Sequence, residues 1–163
     1  VPFGTMLLFA LAGPALGLAR GAYEAFIERS KVRQITYSTE KVSEQTPVHA
    51  LIGEASYQMD AVELLWERDL AEIALLTRRT GEFTMNQRAL YKRDVGLGIR
   101  ACQEVTARIS AASGAHGIFK SSPIQRAFRD TNAMTTHAAL DPLQSAIAMG
   151  RMELELDPTN LLV

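Results

Sequence analysis

Cysteine is nearly missing from this sequence of 163 residues, in which Cys102 is the one thiol. A single cysteine excludes an internal disulfide framework, and no spacing of cysteine and histidine matches a zinc site. Because Cys102 lies among helix-forming residues, we expect a buried structural thiol. A reducing, cytoplasmic environment fits this cysteine usage, and no metal ligands are predicted.

An excess of charge of either sign is missing as well. Lysine and arginine number 17 against 18 aspartate and glutamate residues, which leaves a formal net charge of -1. Such a balance provides no overall field that would attract nucleic acid or an acidic membrane, so neither is expected as a partner. The basic residues Arg78, Arg79, Arg88, Lys92 and Arg93 are interpreted as a solvated face.

The one long hydrophobic run extends from Phe3 to Ala19. It has no basic segment before it, as a signal peptide would, and Gly13, Pro14 and Gly17 interrupt it, whereas a membrane span needs about 20 apolar residues. We therefore expect a helix buried on every side, in a fragment of a longer chain. Since a small domain cannot cover such a helix alone, we expect contact with another domain or subunit.

No segment carries a credible strand signal, and apolar residues recur at helical spacing in four regions. Start signals for helices, with a Ser or Thr cap and often a proline at the first position, occur at Thr46-Pro47, Thr84–Gln87 and Ser122–Gln125. The predicted helices run from about Thr5 to Arg33, Thr46 to Arg79, Thr84 to Ser113, Ser122 to Thr136, and, as a short addition, Asp141 to Met152. The predicted fold is all-α, an antiparallel up-down four-helix bundle in which residues 1–163 form a single domain.

Apolar spacing also predicts which faces lie in the core. On the second helix the predicted inward residues are Val48, Ile52, Ala55, Met59, Val62 and Trp66, and on the third helix they are Leu90, Leu97, Ala101, Val105, Ile109 and Ala112. Gly96 and Gly98 weaken the third helix in isolation, so we expect them to allow close approach of a neighbouring helix. The segment Ser113–Lys120, with two glycines around His116, is predicted to be a turn.

Chemically active side chains concentrate between Arg126 and Pro142. On a helix, Arg126, Arg129 and Asp130 fall within about one turn, and His137 lies about two turns beyond Asp130 on the same face. Buried charges are costly unless they are paired or used, so the three charged residues could be an ion-pair network. His137 has no charged residue one turn before it, which leaves two readings, a satisfied core histidine or a functional one.

Three stretches of this sequence resemble the C-terminal helical domain of the acyl-CoA dehydrogenase superfamily. They are the segment Ser113-Gly-Ala-His-Gly-Ile-Phe119, the segment Pro123-Ile-Gln-Arg-Ala-Phe-Arg-Asp130, and Leu16-Gly-Leu-Ala-Arg20 together with Arg33. The resemblance covers nearly the whole chain in order. It implies that an N-terminal helical domain and a middle β domain, which normally precede this bundle, are absent from the sequence.

Within that superfamily the dehydrogenases need a carboxylate base, which most place in a Glu-Gly-Thr element after the Arg-Asp motif. The segment Thr135–Pro142 has no such element, and the alternative position near Leu7 carries no base. The sequence is more similar to the two-component flavin-dependent monooxygenases, in which a histidine commonly precedes small residues and an Asp-Pro, as from His137 to Pro142. This resemblance implies hydroxylation of an aromatic or polycyclic substrate, or oxidation of a heteroatom, through a flavin C4a-hydroperoxide.

The cofactors implied by the resemblance are molecular oxygen and a reduced flavin, FMNH2 or FADH2, delivered by a separate flavin reductase. The resemblance assigns catalysis to His137, because an imidazole can donate a hydrogen bond or accept a phenol proton near neutral pH. Arg33 matches an arginine that reaches the flavin phosphate, usually across a subunit interface, and a guanidinium suits that task. The other implied cofactor-binding residues are Tyr37, Ser113, Gly114 and His116.

Two other interpretations fit the sequence. An acyl-CoA dehydrogenase-like oxidoreductase with an unusual base would fit the bundle, and so would a helical oligomerisation module without chemistry of its own. The apolar first half of the first helix predicts a homo-oligomer, expected to be a tetramer. His49 is expected to be a surface residue, and Asp141 is expected to cap the last helix.

Overall fold

Five helices account for most of the chain in the computed structural model, which describes residues 3–35 and 39–158. They are α1 (Phe3–Val32), α2 (Thr46–Arg79), α3 (Met85–Ala112), α4 (Pro123–Thr135) and α5 (Pro142–Glu153). Two short 3-10 segments, Val42–Glu44 and Gly114–Ile118, stand before α2 and after α3. The described residues contain no strand beyond an isolated antiparallel bridge between Gln34 and Lys41, so the all-α prediction is confirmed.

α3 lies at the centre and packs against α1, α2, α4 and α5. A hydrogen bond between Arg33 and Ser113 joins the C-terminal ends of α1 and α3, so these two helices run parallel and α2 runs against both. α4 and α5 return along the other side of α3. The arrangement is consistent with the predicted four-helix bundle, with α5 as a short fifth helix packed on α3.

The helix starts follow the predicted signals with two corrections. Before α3, Thr84 Oγ1 accepts from the Gln87 amide at 3.2 Å and Gln87 Oε1 accepts from the Thr84 amide at 2.9 Å, as a capping box requires. Before α4, Ser122 does hold the cap position, but its buried hydroxyl makes no hydrogen bond within the described residues, so the predicted box is wrong. Thr46 is the first residue of α2 rather than its cap, and Gln45 takes the cap position without a side-chain bond.

The buried face of α2 is close to the prediction, whereas that of α3 is displaced. Five of the six predicted α2 residues are buried, while Ile52 is half-buried and Leu51 is buried instead. On α3 the predicted Leu90, Leu97 and Ala101 are half-buried and Ala112 is exposed. The buried stripe there consists of Tyr91, Val95, Ile99, Cys102, Val105 and Ile109. Since α3 touches four helices, periodicity alone does not select its most buried face.

Two glycines allow α3 to approach its neighbours closely, as predicted. A Cβ at Gly98 would lie 2.7 Å from the Trp66 ring, and one at Gly96 would overlap Ser145 Oγ. The Trp66 ring therefore reaches α3 and donates from Nε1 to the Asp94 carbonyl at 2.9 Å. These contacts fix the position of α2 and of α5 on the same central helix.

The first half of α1 is covered on one face, which corrects the expectation that it is buried on every side. Leu8 and Ala12 are buried against the bundle, but Phe3 is 80% exposed and Met6 and Leu7 are 41% exposed. Among the described helices, α1 is long and apolar enough to cross a membrane by length and composition, a test that core helices of soluble proteins also pass. An apolar face of α1 thus remains uncovered in the single chain.

The basic residues do not form one solvated face. Arg78 and Arg79 are exposed, but Lys92 is only 2% exposed and Arg93 forms an ion pair with Asp94 at 2.6 Å. Lys92 is buried because it lies on the same face of α3 as Gly96, which packs against α5. The predicted solvated face is wrong for this residue.

A charge cluster with two buried carboxylates, Asp69 and Asp94, joins α2 to α3. Arg68 Nη2 donates to Asp69 Oδ1 at 2.6 Å and to Asp94 Oδ2 at 2.5 Å. The Asp69 side chain is fully buried. Burial raises the pKa of Asp69 from 3.8 to about 6, against the opposing hydrogen bond from Arg68. The folded chain therefore binds this proton more tightly than the unfolded chain does.

We expect Gly98→Ala to destabilise the chain by about 1–3 kcal/mol, because the new methyl group overlaps the Trp66 ring. Gly53→Ala is the matched control, since a methyl group at this helical glycine on α2 would have no neighbour within 4 Å, and it should stabilise by about 1 kcal/mol through helix propensity. Urea unfolding of both variants and of the wild type measures the change in the free energy of unfolding. Equal changes in the free energy of unfolding of the two variants would contradict the close packing of α3 on Trp66.

We expect Asp69→Asn to reduce the pH dependence of stability. The folded pKa of Asp69 lies above the unfolded value, so its stabilising contribution is complete below about pH 4 and is lost as the pH rises through about 6. The free energy of unfolding, measured at about pH 5 and about pH 7.5, should therefore differ less in the variant than in the wild type. Glu67→Gln, an exposed change on the same helix, should keep the wild-type difference.

Candidate functional site

Arg33, Ser113 and Gly114 meet where the ends of α1 and α3 come together. Arg33 Nη1 donates to the Ser113 carbonyl at 3.0 Å, while the Arg33 carbonyl accepts from the Val42 amide at 2.9 Å and so fixes the backbone. Gly114 has a φ of 60°, and a Cβ there would lie 3.4 Å from Arg33 Nη2. Glycine supplies this left-handed turn without strain and leaves room for the guanidinium.

The Arg33 guanidinium is available to an anion. It is half-buried and makes no salt bridge to any of the described residues. A cavity of about 350 Å³ beside it is lined mainly by apolar residues of α2 and of the segment before it, together with Ala112. A planar guanidinium binds phosphate or carboxylate through two parallel hydrogen bonds, so this group fits a flavin phosphate.

The remaining predicted cofactor-binding residues differ in the polar groups that they leave available to a ligand. The Ser113 hydroxyl donates to the Ile109 carbonyl at 2.8 Å, so Ser113 contributes to this cluster through its carbonyl oxygen. His116 lies in the 3-10 segment Gly114–Ile118, within the predicted turn, and its ring is 5.4 Å from that of Phe119. Its buried Nδ1 has no hydrogen-bond partner among the described residues. Tyr37 lies outside the described residues, and the roles of all these residues stay predictions.

His137 lies beyond the end of α4, which is at Thr135, one residue before the predicted end, so its predicted alignment with Asp130 on one helical face is wrong. Its side chain is exposed, which rules out the reading as a core histidine. Nδ1 accepts from the Ala139 amide at 3.2 Å, so the neutral ring carries its proton on Nε2. Nε2 makes no hydrogen bond within the described part of the chain and can meet a ligand.

A polar cavity of about 310 Å³ lies beside this turn. Its lining comes from α3, the end of α4 and the start of α5, namely Arg100, Gln103, Thr135, Asp141, Pro142 and Leu143. Asp141 is committed to capping α5, as predicted, since Oδ1 accepts from the Leu143 amide at 2.8 Å and the Gln144 amide at 3.3 Å. His137 therefore provides an available ionisable group at this turn.

The structure does not bring His137 together with Arg33 and Gly114. The start of α5 packs on α3 at Gly96, whereas Ser113 follows the last residue of α3. At about 1.5 Å per residue, Gly96, where the start of α5 packs, and Ser113 are separated by roughly 25 Å along α3. The His137 turn therefore lies away from the end of α3 at which Arg33 is held.

The charged residues of α4 form the predicted ion pairs, but in solvent rather than in a buried network. Arg129 Nη2 lies 2.9 Å from Asp130 Oδ1 and Arg126 Nε lies 3.5 Å from Oδ2, and both arginine side chains are more than 60% exposed. Exposed pairs of this kind contribute little to stability. His49 is exposed, with Nε2 2.8 Å from the Ser43 carbonyl, so its prediction as a surface residue is confirmed.

Cys102 is the buried thiol that the sequence predicted. It is 1% exposed, and burial raises its pKa to about 12, so its thiol is not a nucleophile near neutral pH. No group of three or more His, Cys, Asp or Glu residues that could hold a metal occurs in the part of the chain that the structure describes.

Comparison with known proteins identifies the family of this chain. The family model described as "Acyl-CoA dehydrogenase, C-terminal domain" matches residues 9–142. The chain belongs to the acyl-CoA dehydrogenase family. The predicted resemblance to the C-terminal helical domain of that superfamily is confirmed.

The relatives include oxygenase subunits of flavin-dependent monooxygenases. The chain is 31% identical over 170 residues to the flavin-dependent monooxygenase oxygenase subunit HsaA of Mycobacterium tuberculosis, with 100% of this chain and 42% of that protein covered. It is 28% identical to the oxygenase component of p-hydroxyphenylacetate 3-hydroxylase of Acinetobacter baumannii, with 97% and 38% covered. The predicted similarity to the two-component monooxygenase branch is confirmed, and the chain spans about two fifths of the length of these relatives.

Comparison with solved structures agrees with this family assignment. The 3-HSA hydroxylase from Rhodococcus sp. RHA1 superposes with a TM-score of 0.88 at 27% identity, covering 100% of this chain and 42% of that one. Butyryl-CoA dehydrogenase from Megasphaera elsdenii superposes with a TM-score of 0.72 at 19% identity, covering 93% and 38%. The second likeness shows that the fold is shared with the dehydrogenases.

Proposed function

We propose that this chain is the C-terminal domain of the oxygenase component of a reduced-flavin-dependent monooxygenase, which hydroxylates an aromatic or polycyclic substrate or oxidises a heteroatom. The exposed His137, with Nε2 available at the turn between α4 and α5, carries the proposal. An imidazole with its proton on Nε2 suits a hydrogen bond donated to the oxygen atom of a phenol. The relatives named as hydroxylase oxygenase components support the same reading.

The cofactor is a reduced flavin, and FADH2 is favoured over FMNH2. One relative is an FADH(2)-dependent resorcinol hydroxylase from Rhizobium, and the Streptomyces protein XiaF was solved in complex with FADH2. When bound, the reduced flavin supplies the chemistry that activates oxygen. Arg33 and Gly114 would hold its phosphate, since the guanidinium is half-buried beside the cavity and Gly114 leaves the approach open.

His137 would orient the group that is oxidised. Its Nδ1 is occupied by the Ala139 amide, which fixes the tautomer and directs the Nε2–H outward as a hydrogen-bond donor. In this tautomer Nε2 donates and does not accept, and taking a proton from a substrate hydroxyl would need the other tautomer, in which the bond from the Ala139 amide is lost. A water-excluding wall would come from parts of the protein outside this chain, packed on the polar cavity at Arg100 and Thr135.

The oligomer is proposed to be a homotetramer that receives flavin from a separate reductase in the cytoplasm. The uncovered apolar face at Phe3, Met6 and Leu7 supports association. The separation of roughly 25 Å along α3 between Gly96, where the start of α5 packs, and Ser113, which holds Arg33, supports the proposal that each flavin is shared by two subunits. The phosphate would then lie at Arg33 of one protomer and the ring at His137 of its neighbour.

A dehydrogenase is the less favoured alternative. Proton abstraction next to a thioester needs a free carboxylate, and the carboxylate at this turn, Asp141, accepts two backbone amides of α5. A purely oligomeric module would not explain a histidine with an open ring nitrogen or an arginine without an acidic partner in the described residues. Each of these features has a direct use in the monooxygenase.

We expect Arg33→Ala, in the full-length oxygenase, to weaken binding of reduced FAD or FMN by about 10- to 100-fold. Charge-assisted hydrogen bonds of this kind contribute about 1.5–3 kcal/mol. Riboflavin, which lacks the phosphate, should bind the variant and the wild type equally. Lys31→Ala, an exposed change on the same helix, serves as the control. Equal losses for riboflavin and for FMN would contradict a phosphate contact by Arg33.

We expect His137→Asn to lower the product formed per reduced flavin consumed by about 10²–10⁴-fold, because one positioned proton-transfer group is removed. Hydrogen peroxide should rise as oxygen is reduced without substrate oxidation. Since His137 is exposed, the melting temperature should not change. His49→Asn is the matched control on another exposed histidine. A fully coupled His137→Asn variant would show that His137 is not in the site.

A further inference from the structure

The polar cavity beside the His137 turn contains a cationic group that the proposed chemistry does not use. This cavity of about 310 Å³ lies between α3, the end of α4 and the start of α5, and Arg100 of α3 lines it. Thr135 and Asp141, which stand before and after His137 in the chain, line the same cavity. Because two residues span no more than about 7 Å, the backbone of His137 lies close to this cavity.

The Arg100 guanidinium can bind a further acceptor. Its ion pair within the described residues joins Nε to Glu104 Oε1 at 3.5 Å, and both side chains are more than half exposed. Pairs of this kind are weak. Nη1 and Nη2 make no hydrogen bond in the part of the chain that the structure describes. They remain available as the parallel donors with which a guanidinium binds a carboxylate.

The polar side chains next to Arg100 are held in place. Gln103 Nε2 donates to Asn132 Oδ1 at 3.0 Å, and Thr135 Oγ1 donates to the Asn132 carbonyl at 2.9 Å. These bonds join α3 to the end of α4 and fix one wall of the cavity. A wall that is fixed before binding needs little ordering when a ligand enters. The volume is at the lower end of the range for small-molecule sites.

The acidic residue in the lining, Asp141, is compensated by α5. Asp141 Oδ1 accepts from the Leu143 and Gln144 amides in the first turn of that helix. The positive end of the helix dipole also offsets a carboxylate at this position. Arg100 has only the exposed Glu104 at 3.5 Å among the described residues. The cavity therefore presents a cation to a ligand more strongly than it presents an anion.

We propose that Arg100 binds an acidic group of the substrate, and that the substrate is a phenol with a carboxylate on its side chain. This inference rests on the proposed function, in which His137 meets the group that is oxidised. A carboxylate held at Arg100 would place the aromatic ring across the cavity, with its hydroxyl towards the His137 turn. Parts of the protein that cover the cavity would strengthen this ion pair by excluding water. Arg100 would then select acidic phenols over neutral ones.

The test measures binding of phenols to the full-length oxygenase by calorimetry under anaerobic conditions, with and without reduced FAD. The probes are 4-hydroxybenzoate, 4-hydroxyphenylacetate and 3-(4-hydroxyphenyl)propanoate, each paired with its neutral carboxamide. The series varies the distance between the phenol oxygen and the carboxylate. In at least one pair the acid should bind about 10- to 100-fold more tightly than the amide, as charge-assisted hydrogen bonds allow.

Three variants test whether Arg100 causes this preference. Arg100→Gln should lower the ratio of acid to amide affinity by about 10- to 100-fold, because the charge is removed. Glu104→Gln should raise the ratio by about two- to fivefold, since the competing ion pair is removed. Arg126→Gln is the matched control and should keep the wild-type ratio, because Arg126 Nε pairs with Asp130 Oδ2 at the same 3.5 Å on exposed α4. A general loss of stability would weaken acid and amide alike and leave the ratio unchanged.

The outcomes separate this inference from the proposed function. Equal binding of acid and amide by the wild type in every pair overturns the role of Arg100, and so does an Arg100→Gln variant that keeps the preference. If the wild type nevertheless hydroxylates the amides, the proposed function stands. Acid binding that depends on Arg100, without hydroxylation of any phenol in the series, would support the anion site and contradict the proposed function.

Discussion

The close packing of α3 against its neighbours is the constraint on which the other features of this domain depend. Gly98 admits the Trp66 ring of α2, and Gly96 admits Ser145 of α5. Both contacts require that no side chain occupies the space, because a methyl group would overlap atoms within 3 Å. α3 thereby becomes the one helix against which all the others are placed.

The two groups of candidate site residues are attached to different parts of this central helix. Arg33 is held at the end of α3 through the Ser113 carbonyl, and the His137 turn is held near its middle through α5. The two attachment points on α3, Ser113 and Gly96, are separated by roughly 25 Å, as the helical rise requires. In the proposed monooxygenase, each copy would therefore supply a phosphate contact to one flavin and a histidine to another.

The sequence predicted the helices well, because proline, glycine and Ser or Thr caps mark where they begin and end, as at Thr84 and Asp141. The sequence predicted the buried face of α3 and the burial of Lys92 poorly, because a helix that contacts four neighbours has no single apolar stripe. It predicted the end of α4 at Thr136, one residue after the observed Thr135, so the alignment of His137 with Asp130 on one helical face did not follow from the predicted helix. The family resemblance identified Arg33, Gly114 and His137, which periodicity alone would not have singled out.

The central claim is that Arg33 of one subunit and His137 of its neighbour serve the same flavin, and complementation tests it most directly. Arg33→Ala and His137→Asn subunits of the full-length oxygenase are produced together and compared with each variant alone, at a reduced-flavin concentration too low for Arg33→Ala. A mixed dimer contains one site with both native residues, so random pairing should restore roughly a quarter of the wild-type product rate. Mixed oligomers that form but recover no activity would contradict the shared site.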